Sequence, residues 1–143
     1  MFWFYFEIFI MFLWQLPQNI VALIMLPFLG KMKLIKYDLY AFVFECEKMN
    51  GGISLGNFIF LSPNLAKKEA SILHELGHTL DSHRYSWLYL FIIGIPSICW
   101  AMFKPADSCY YDFFTERRAN KNAGLKVGRN QYGCYIYVPK ENE

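Results

Sequence analysis

Residues 2–29 are apolar almost without interruption, carry Glu7 as their one charge, and are broken by Pro17-Gln18-Asn19. A bilayer core takes about 20 apolar helical residues, so the whole stretch is long enough to cross once with a kink at Pro17. Each half alone is too short, and a hairpin lying in one leaflet is the competing geometry. The run does not read as a cleaved signal peptide, because its start lacks positive charge and no small-residue cleavage site closes it. Residues 37–46, rich in aromatics and Val, then predict a strand. Lys48-Met-Asn50-Gly51-Gly52 is a turn signal, and residues 53–61 predict a second strand paired with the first as a hairpin. Gly51, Gly52 and Gly56 leave backbone bare along that second strand, or mark a bulge in it.

Helical periodicity takes over at Ser62, which can cap a helix whose first turn accommodates Pro63. Leu65, Ile72, Leu73, Leu76 and Leu80 recur at helical spacing and predict one buried stripe. Residues 85–103 are apolar and uncharged, with Gly94-Ile-Pro96 as a natural break in the middle. They predict a helical hairpin that dips into a membrane or covers the site described below, with a buried hairpin of core helices as the alternative. Residues 112–124 carry acids early, bases late and Gly124 at the end, as a helix dipole and a left-handed cap favour. Residues 132–138 predict a last strand, and a polar tail follows.

Composition sharpens the picture at two points. Hydrophobic residues make up 55% and aromatics 20% of the 143 residues, which is high for a soluble domain and directs attention to a membrane. The net charge of +2 gives no case for nucleic acid. Lys31, Lys33 and Lys36 follow the apolar start, and Lys67 and Lys68 come later. By the positive-inside rule they predict that the part after residue 30 faces the cytoplasm. Cys46, Cys99, Cys109 and Cys134 are widely spaced, so they predict buried thiols rather than a zinc ribbon or a disulfide framework.

The chemistry is concentrated in His74-Glu75-Leu-Gly77-His78. On a helix, two histidines at this spacing stack on one face and can reach a single metal ion. Glu75 lies about 100° round the helix, where it can hold a water beside the metal without being a ligand. Zinc lowers the pKa of such a water to roughly 7, and the carboxylate can take its proton during attack on a carbonyl. A third histidine six residues beyond His78 would fall at Arg84, and His83 is one residue out of register, so it reads as an exposed cap or turn residue. Glu116, on the later helix, can complete a His₂Glu site with one position left open. Asn120 shares its face and can accept from a ligand imidazole. Tyr110, Tyr111, Tyr132 and His83 are the candidate donors to an oxyanion.

His74-Glu75-x-x-His78 followed by Glu116-x-x-Ala119-Asn120 resembles the gluzincin metallopeptidases, particularly minigluzincin-type domains and membrane-embedded relatives of the HtpX kind. Those families usually carry Asp where this chain has Asn120, a weaker acceptor that leaves the imidazole less basic. Leu16-Pro-Gln-Asn19, the block from Gly52 to Ser62, and Leu88-Tyr-Leu with Gly94-Ile-Pro-Ser97 resemble an uncharacterised group of small bacterial membrane-associated proteins. The resemblance implies an α+β, zincin-like fold: a short antiparallel β-sheet packed on the His-Glu-x-x-His helix and a Glu-bearing helix. Residues 1–30 would be a membrane anchor, and residues 31–143 a minimal metallopeptidase domain with 85–103 inserted. It implies Zn²⁺ held by His74, His78 and Glu116, Glu75 as catalytic base, and an edge strand holding extended peptide. The expected partners are a peptide or protein substrate and a lipid bilayer, in the bacterial inner membrane. The competing expectation is a zinc-stabilised membrane interaction module without turnover.

Overall fold

The computed structural model describes residues 2–129 and 134–138. The chain is α+β, built on a four-stranded sheet of order β1-β2-β4-β3, with β1 Met32–Asp38, β2 Ala41–Cys46, β3 Gly52–Leu55 and β4 Phe58–Leu61. The sheet is mixed, not antiparallel as expected, because β2 and β4 run parallel while β1–β2 and β3–β4 are antiparallel. Each of the two strands expected from the sequence is in fact a tight hairpin or part of one. Leu39 and Tyr40 turn the first with φ of 47° and 57°, a conformation that Asn and Gly normally signal. Gly56 turns the second at φ 63°, so it is a turn residue and not a bulge.

Two helical layers cover the sheet. Leu16–Met25 forms α2, whose Ala22 packs with Cys46, Leu55 and Phe60 on one face. On the other face Ala41, Val43, Ile59 and Leu61 meet Leu76 of α4, Glu69–Tyr85, together with Leu65, Ile72 and Leu73. The expected continuous helix from Ser62 is two helices. Ser62 caps only α3, Pro63–Ala66, accepting from the Leu65 amide at 3.4 Å. Lys68 is extended (φ −107°, ψ 113°), and α4 restarts after it. Phe114–Asn122 is α6, which lies along α4. Gly124 takes φ 66° just beyond it, the left-handed stop that the sequence predicts.

The approach of α4 to α6 is set at Gly77, where a Cβ would overlap the carbonyl of Ala119. Gly77 O also accepts from Asn122 Nδ2 at 3.1 Å. Strands β5, Lys126–Arg129, and β6, Tyr135–Val138, pair antiparallel; of the expected last strand, Cys134 precedes β6 and residues 132–133 lie outside the described residues.

The apolar start forms α1, Phe2–Trp14, and α2, bent by 90° at Gln15. Among the described residues no single helix is long and apolar enough to cross a membrane. The polar break serves as a bolt between α2 and the rest of the chain. Asn19 Nδ2 donates to Asn57 Oδ1 and Asn19 Oδ1 accepts from the Asn57 amide, each at 2.8 Å. Gln15 Oε1 accepts from Ser82 Oγ at 2.6 Å. Asn19→Ala would leave the buried Asn57 amide N–H and Oδ1 without partners, while Asn57 Nδ2 keeps the Tyr40 carbonyl. It should destabilise the fold by about 1–3 kcal/mol, read as a drop in thermal midpoint. An unchanged midpoint would mean that the bolt contributes nothing.

Residues 85–103 are not a hairpin broken at Gly94-Ile-Pro96. The turn falls earlier, at Ser86 (φ 50°), in the 3₁₀ segment Ser86–Leu88. From Leu90 to Phe103 the chain is one helix, with a π-helical turn over Leu90–Gly94 that runs into α5, Ile95–Phe103. The π turn shifts the hydrogen-bond ladder by one residue, and Pro96, placed in the first turn of the α segment, needs no amide donor there. The cysteine expectation also fails in part: Cys109 and Cys134 form a disulfide, while Cys46 is a buried thiol and Cys99 an exposed one. Pairing across 25 residues follows from β6 lying beside the turn at Tyr110, which spacing alone does not disclose.

Candidate metal centre

Helix α4 presents His74, Glu75 and His78 towards α6 and β3, and all three are buried. Across from them α6 contributes Glu116, fully buried, and Asn120. His74 Nε2 lies 3.1 Å and His78 Nε2 3.6 Å from the same Glu116 oxygen, Oε2. One ligand atom from each of the three residues falls within 4.8 Å of the others, so the group could hold a metal ion.

The hydrogen bonds around the cluster say what belongs at its centre. Asn120 Nδ2 donates to the Glu116 carbonyl at 3.0 Å, which turns its Oδ1 towards His74 Nδ1 at 2.8 Å. His74 Nδ1 must therefore carry the proton and donate, and a neutral His74 presents the lone pair of Nε2 to Oε2. Two acceptors at that distance repel unless a cation sits between them, either a proton on the imidazole or a metal ion. With His78 Nε2 added, the donor set is two nitrogens and one carboxylate oxygen, the set of open zinc sites. Without a metal, the proton is the cation that balances the pair. Burial alone would lower His74, but the Glu116 hydrogen bond and the charges of Glu75 and Glu116 raise it above its ordinary value. Burial alone would raise Glu116, but its hydrogen bonds to the two histidines and their charge hold it well below the usual carboxylate range.

Glu75 lines a cleft between β3 and α5 together with His74 and His78. Gly52 provides its space: a Cβ there would collide with Glu75 Oε1. Burial is the main cause that raises Glu75 above its ordinary pKa, with Glu116 adding to it and the two histidines opposing it. β3 is the edge of the sheet and pairs only with β4 among the described residues. Its stretch from Gly52 to Leu55 lines the cleft opposite Ser97, Ile98 and Ala101 of α5. Tyr110 closes the end.

Of the candidate oxyanion donors, Tyr110 lines the cleft beside His74 and Glu75. Burial, followed by the charges of Glu116 and Glu75, raises its phenol above the ordinary value, so it stays a donor. Tyr111 places its ring edge to face with His74, 5.5 Å between centroids. His83 is a residue of the last turn of α4, half-buried near Tyr40 and outside both the ligand cluster and the cleft, and burial lowers its pKa. Tyr132 lies outside the described residues.

Sequence reasoning missed Ser97, which donates to Glu116 Oε1, and Gly52 in its space-giving role. The block Gly94-Ile-Pro-Ser97 was the only signal for the serine. No protein family, curated protein or solved structure matches this chain, so the likeness to gluzincins rests on the motif and the geometry above.

Proposed function

We propose that the protein is a zinc-dependent peptidase of gluzincin type, working at a membrane surface. The observation that carries this reading is the convergence of His74, His78 and Glu116, with a buried carboxylate outside the ligand set, Glu75, lining one cleft with the two histidines. Zinc held by those three residues would supply polarisation of a carbonyl and a water acidified to a pKa of about 7.

The chain's own residues supply the rest. The free edge of β3 can take an extended peptide as an added strand, which lays a backbone carbonyl across the face of Glu75. Glu75 accepts the proton of the attacking water, and its raised basicity suits that task near neutral pH. Tyr110, kept protonated, donates to the oxygen on which charge develops. Asn120 holds His74 in the tautomer that turns Nε2 to the metal.

Two exposed apolar surfaces support the membrane part of the reading. They lie along α1, where Trp3 is 71% exposed, and along Leu90–Phe103, where Phe91 is 71% and Phe103 75% exposed. The Trp87 indole, which donates to Leu13 O at 3.3 Å, joins the two surfaces. The Cys109–Cys134 disulfide fits an oxidising compartment and removes support from a cytoplasmic placement of the site.

The test is zinc content per chain on detergent-purified protein, together with chelator-sensitive cleavage of a peptide mixture. About one zinc is expected in the wild type, lost in Glu116→Ala and kept in His83→Ala. A folded wild type without zinc would overturn the reading, and one zinc without cleavage would leave a metal-stabilised membrane module.

A further inference from the structure

Glu116 has two carboxylate oxygens in unlike surroundings. Oε2 faces the imidazole nitrogens of His74 and His78, at 3.1 and 3.6 Å. Oε1 accepts two hydroxyl hydrogen bonds, from Thr115 Oγ1 at 3.1 Å and from Ser97 Oγ. Thr115 precedes Glu116 in the same helix and moves with it. Ser97 comes from α5 and ties Oε1 to another element, as the two histidines of α4 do for Oε2, while the Tyr110 hydroxyl also hydrogen-bonds the carboxylate. A glutamate has three side-chain torsions, and the buried carboxylate needs an external donor to settle which oxygen faces the imidazoles.

A second tie runs the same way. Trp100 of α5 donates through Nε1 to the carbonyl of Tyr110 at 2.9 Å, and its ring stacks on Phe113 with centroids 4.8 Å apart. The apolar segment thus grips both the helix start that carries Glu116 and the turn that carries Tyr110. Its opposite face is bare: Ile95, Met102 and Phe103 are exposed.

We infer that Ser97 is a positioning residue of the metal centre. It holds Glu116 Oε1 so that Oε2 alone ligates, and it makes the seating of the apolar helix and the occupancy of the metal site depend on each other. This rests on the metal reading above. By linkage, whatever metal binding gains from a seated helix, the helix gains from bound metal.

The experiment measures zinc affinity by competition with a chromophoric chelator, for wild type, Ser97→Ala, Ser97→Thr and Ser97→Val. Ser97→Ala is expected to bind zinc about 10- to 100-fold more weakly, the usual cost of losing a partner of a ligand. Ser97→Thr keeps the hydroxyl and should recover most of the affinity, while Ser97→Val, of the same shape, should not. At saturating Co²⁺ the visible spectrum of Ser97→Ala should differ from wild type, since the freed carboxylate can offer both oxygens. Zinc should also slow protease cleavage within residues 90–103 in wild type and do so less in Ser97→Ala. Wild-type affinity together with a wild-type cobalt spectrum in Ser97→Ala would overturn the assignment. So would a weakened affinity that leaves the cobalt spectrum unchanged, because that marks a merely structural serine. If Ser97→Ala does not fold, equal affinities of the Thr and Val variants overturn it in the same way. A wild type that binds neither metal fails one step earlier, at the metal reading itself.

Discussion

Glu75→Gln should leave zinc bound at one per chain and the fold intact, while lowering peptide hydrolysis by about 10²- to 10⁴-fold, the range of a positioned general base. The separation is sharp because Glu75 lies outside the triad, whose three ligand atoms come from His74, His78 and Glu116. An amide fits the same space beside Gly52, where the carboxylate already sits as close as the missing Cβ allows. Glutamine removes the buried charge, which relieves the desolvation that raises Glu75, so stability should hold or rise slightly. The measurement is zinc content, thermal midpoint and initial rate on one cleavable peptide, for wild type and variant in parallel. A variant that keeps zinc, melts as wild type does and hydrolyses at the wild-type rate would remove Glu75 from the mechanism. A variant that loses zinc would place Glu75 among the ligands, against the geometry.

How much of this was legible beforehand depends on whether a feature is local. His74, Glu75 and His78 share one helical turn, and Glu116 and Asn120 are one turn apart on α6. Periodicity and capping signals therefore placed all five on the right elements, and the dipole signals and Gly124 marked where α6 ends. The sheet order was not legible, because the turn at Leu39-Tyr40 has neither Gly nor Asn and lies inside an aromatic run that reads as one strand. Pro96 misled for the opposite reason. It is a strong breaker by rule, yet a π turn ahead of it leaves its position without need of a donor. Ser97 on Glu116, Tyr110 over the cleft and the Cys109–Cys134 pair are meetings of residues from different elements, which no spacing rule contains. The Gln15, Gln18 and Asn19 cluster stands between these cases. Polar groups inside an apolar run announce that something must satisfy them, without saying what.

Gly77→Ala should unfold or severely loosen the α4–α6 pair, although the same exchange in an ordinary helix interior is favourable by about 1 kcal/mol. The Cβ at this position would overlap the carbonyl oxygen of Ala119, and a helix backbone cannot swing aside as a side-chain tip can. The two helices must therefore part, and overpacking of this kind costs about 1–3 kcal/mol, occasionally more. Against a total stability of about 5–15 kcal/mol that is a large fraction. Parting the helices also breaks the Asn122–Gly77 hydrogen bond and draws Glu116 away from His74 and His78. Zinc affinity should fall with the thermal midpoint, whereas a substitution that disturbs only remote packing would lower the midpoint alone. Gly51→Ala is the control. It borders the cleft lined by His74, Glu75 and Tyr110, yet a Cβ there meets nothing within 4 Å, so its stability should stay within about 0.5 kcal/mol of wild type. If Gly77→Ala melts at or above the wild-type temperature with zinc retained, the helices do not approach at Gly77, and the distances that assemble the His74–His78–Glu116 cluster lose their support.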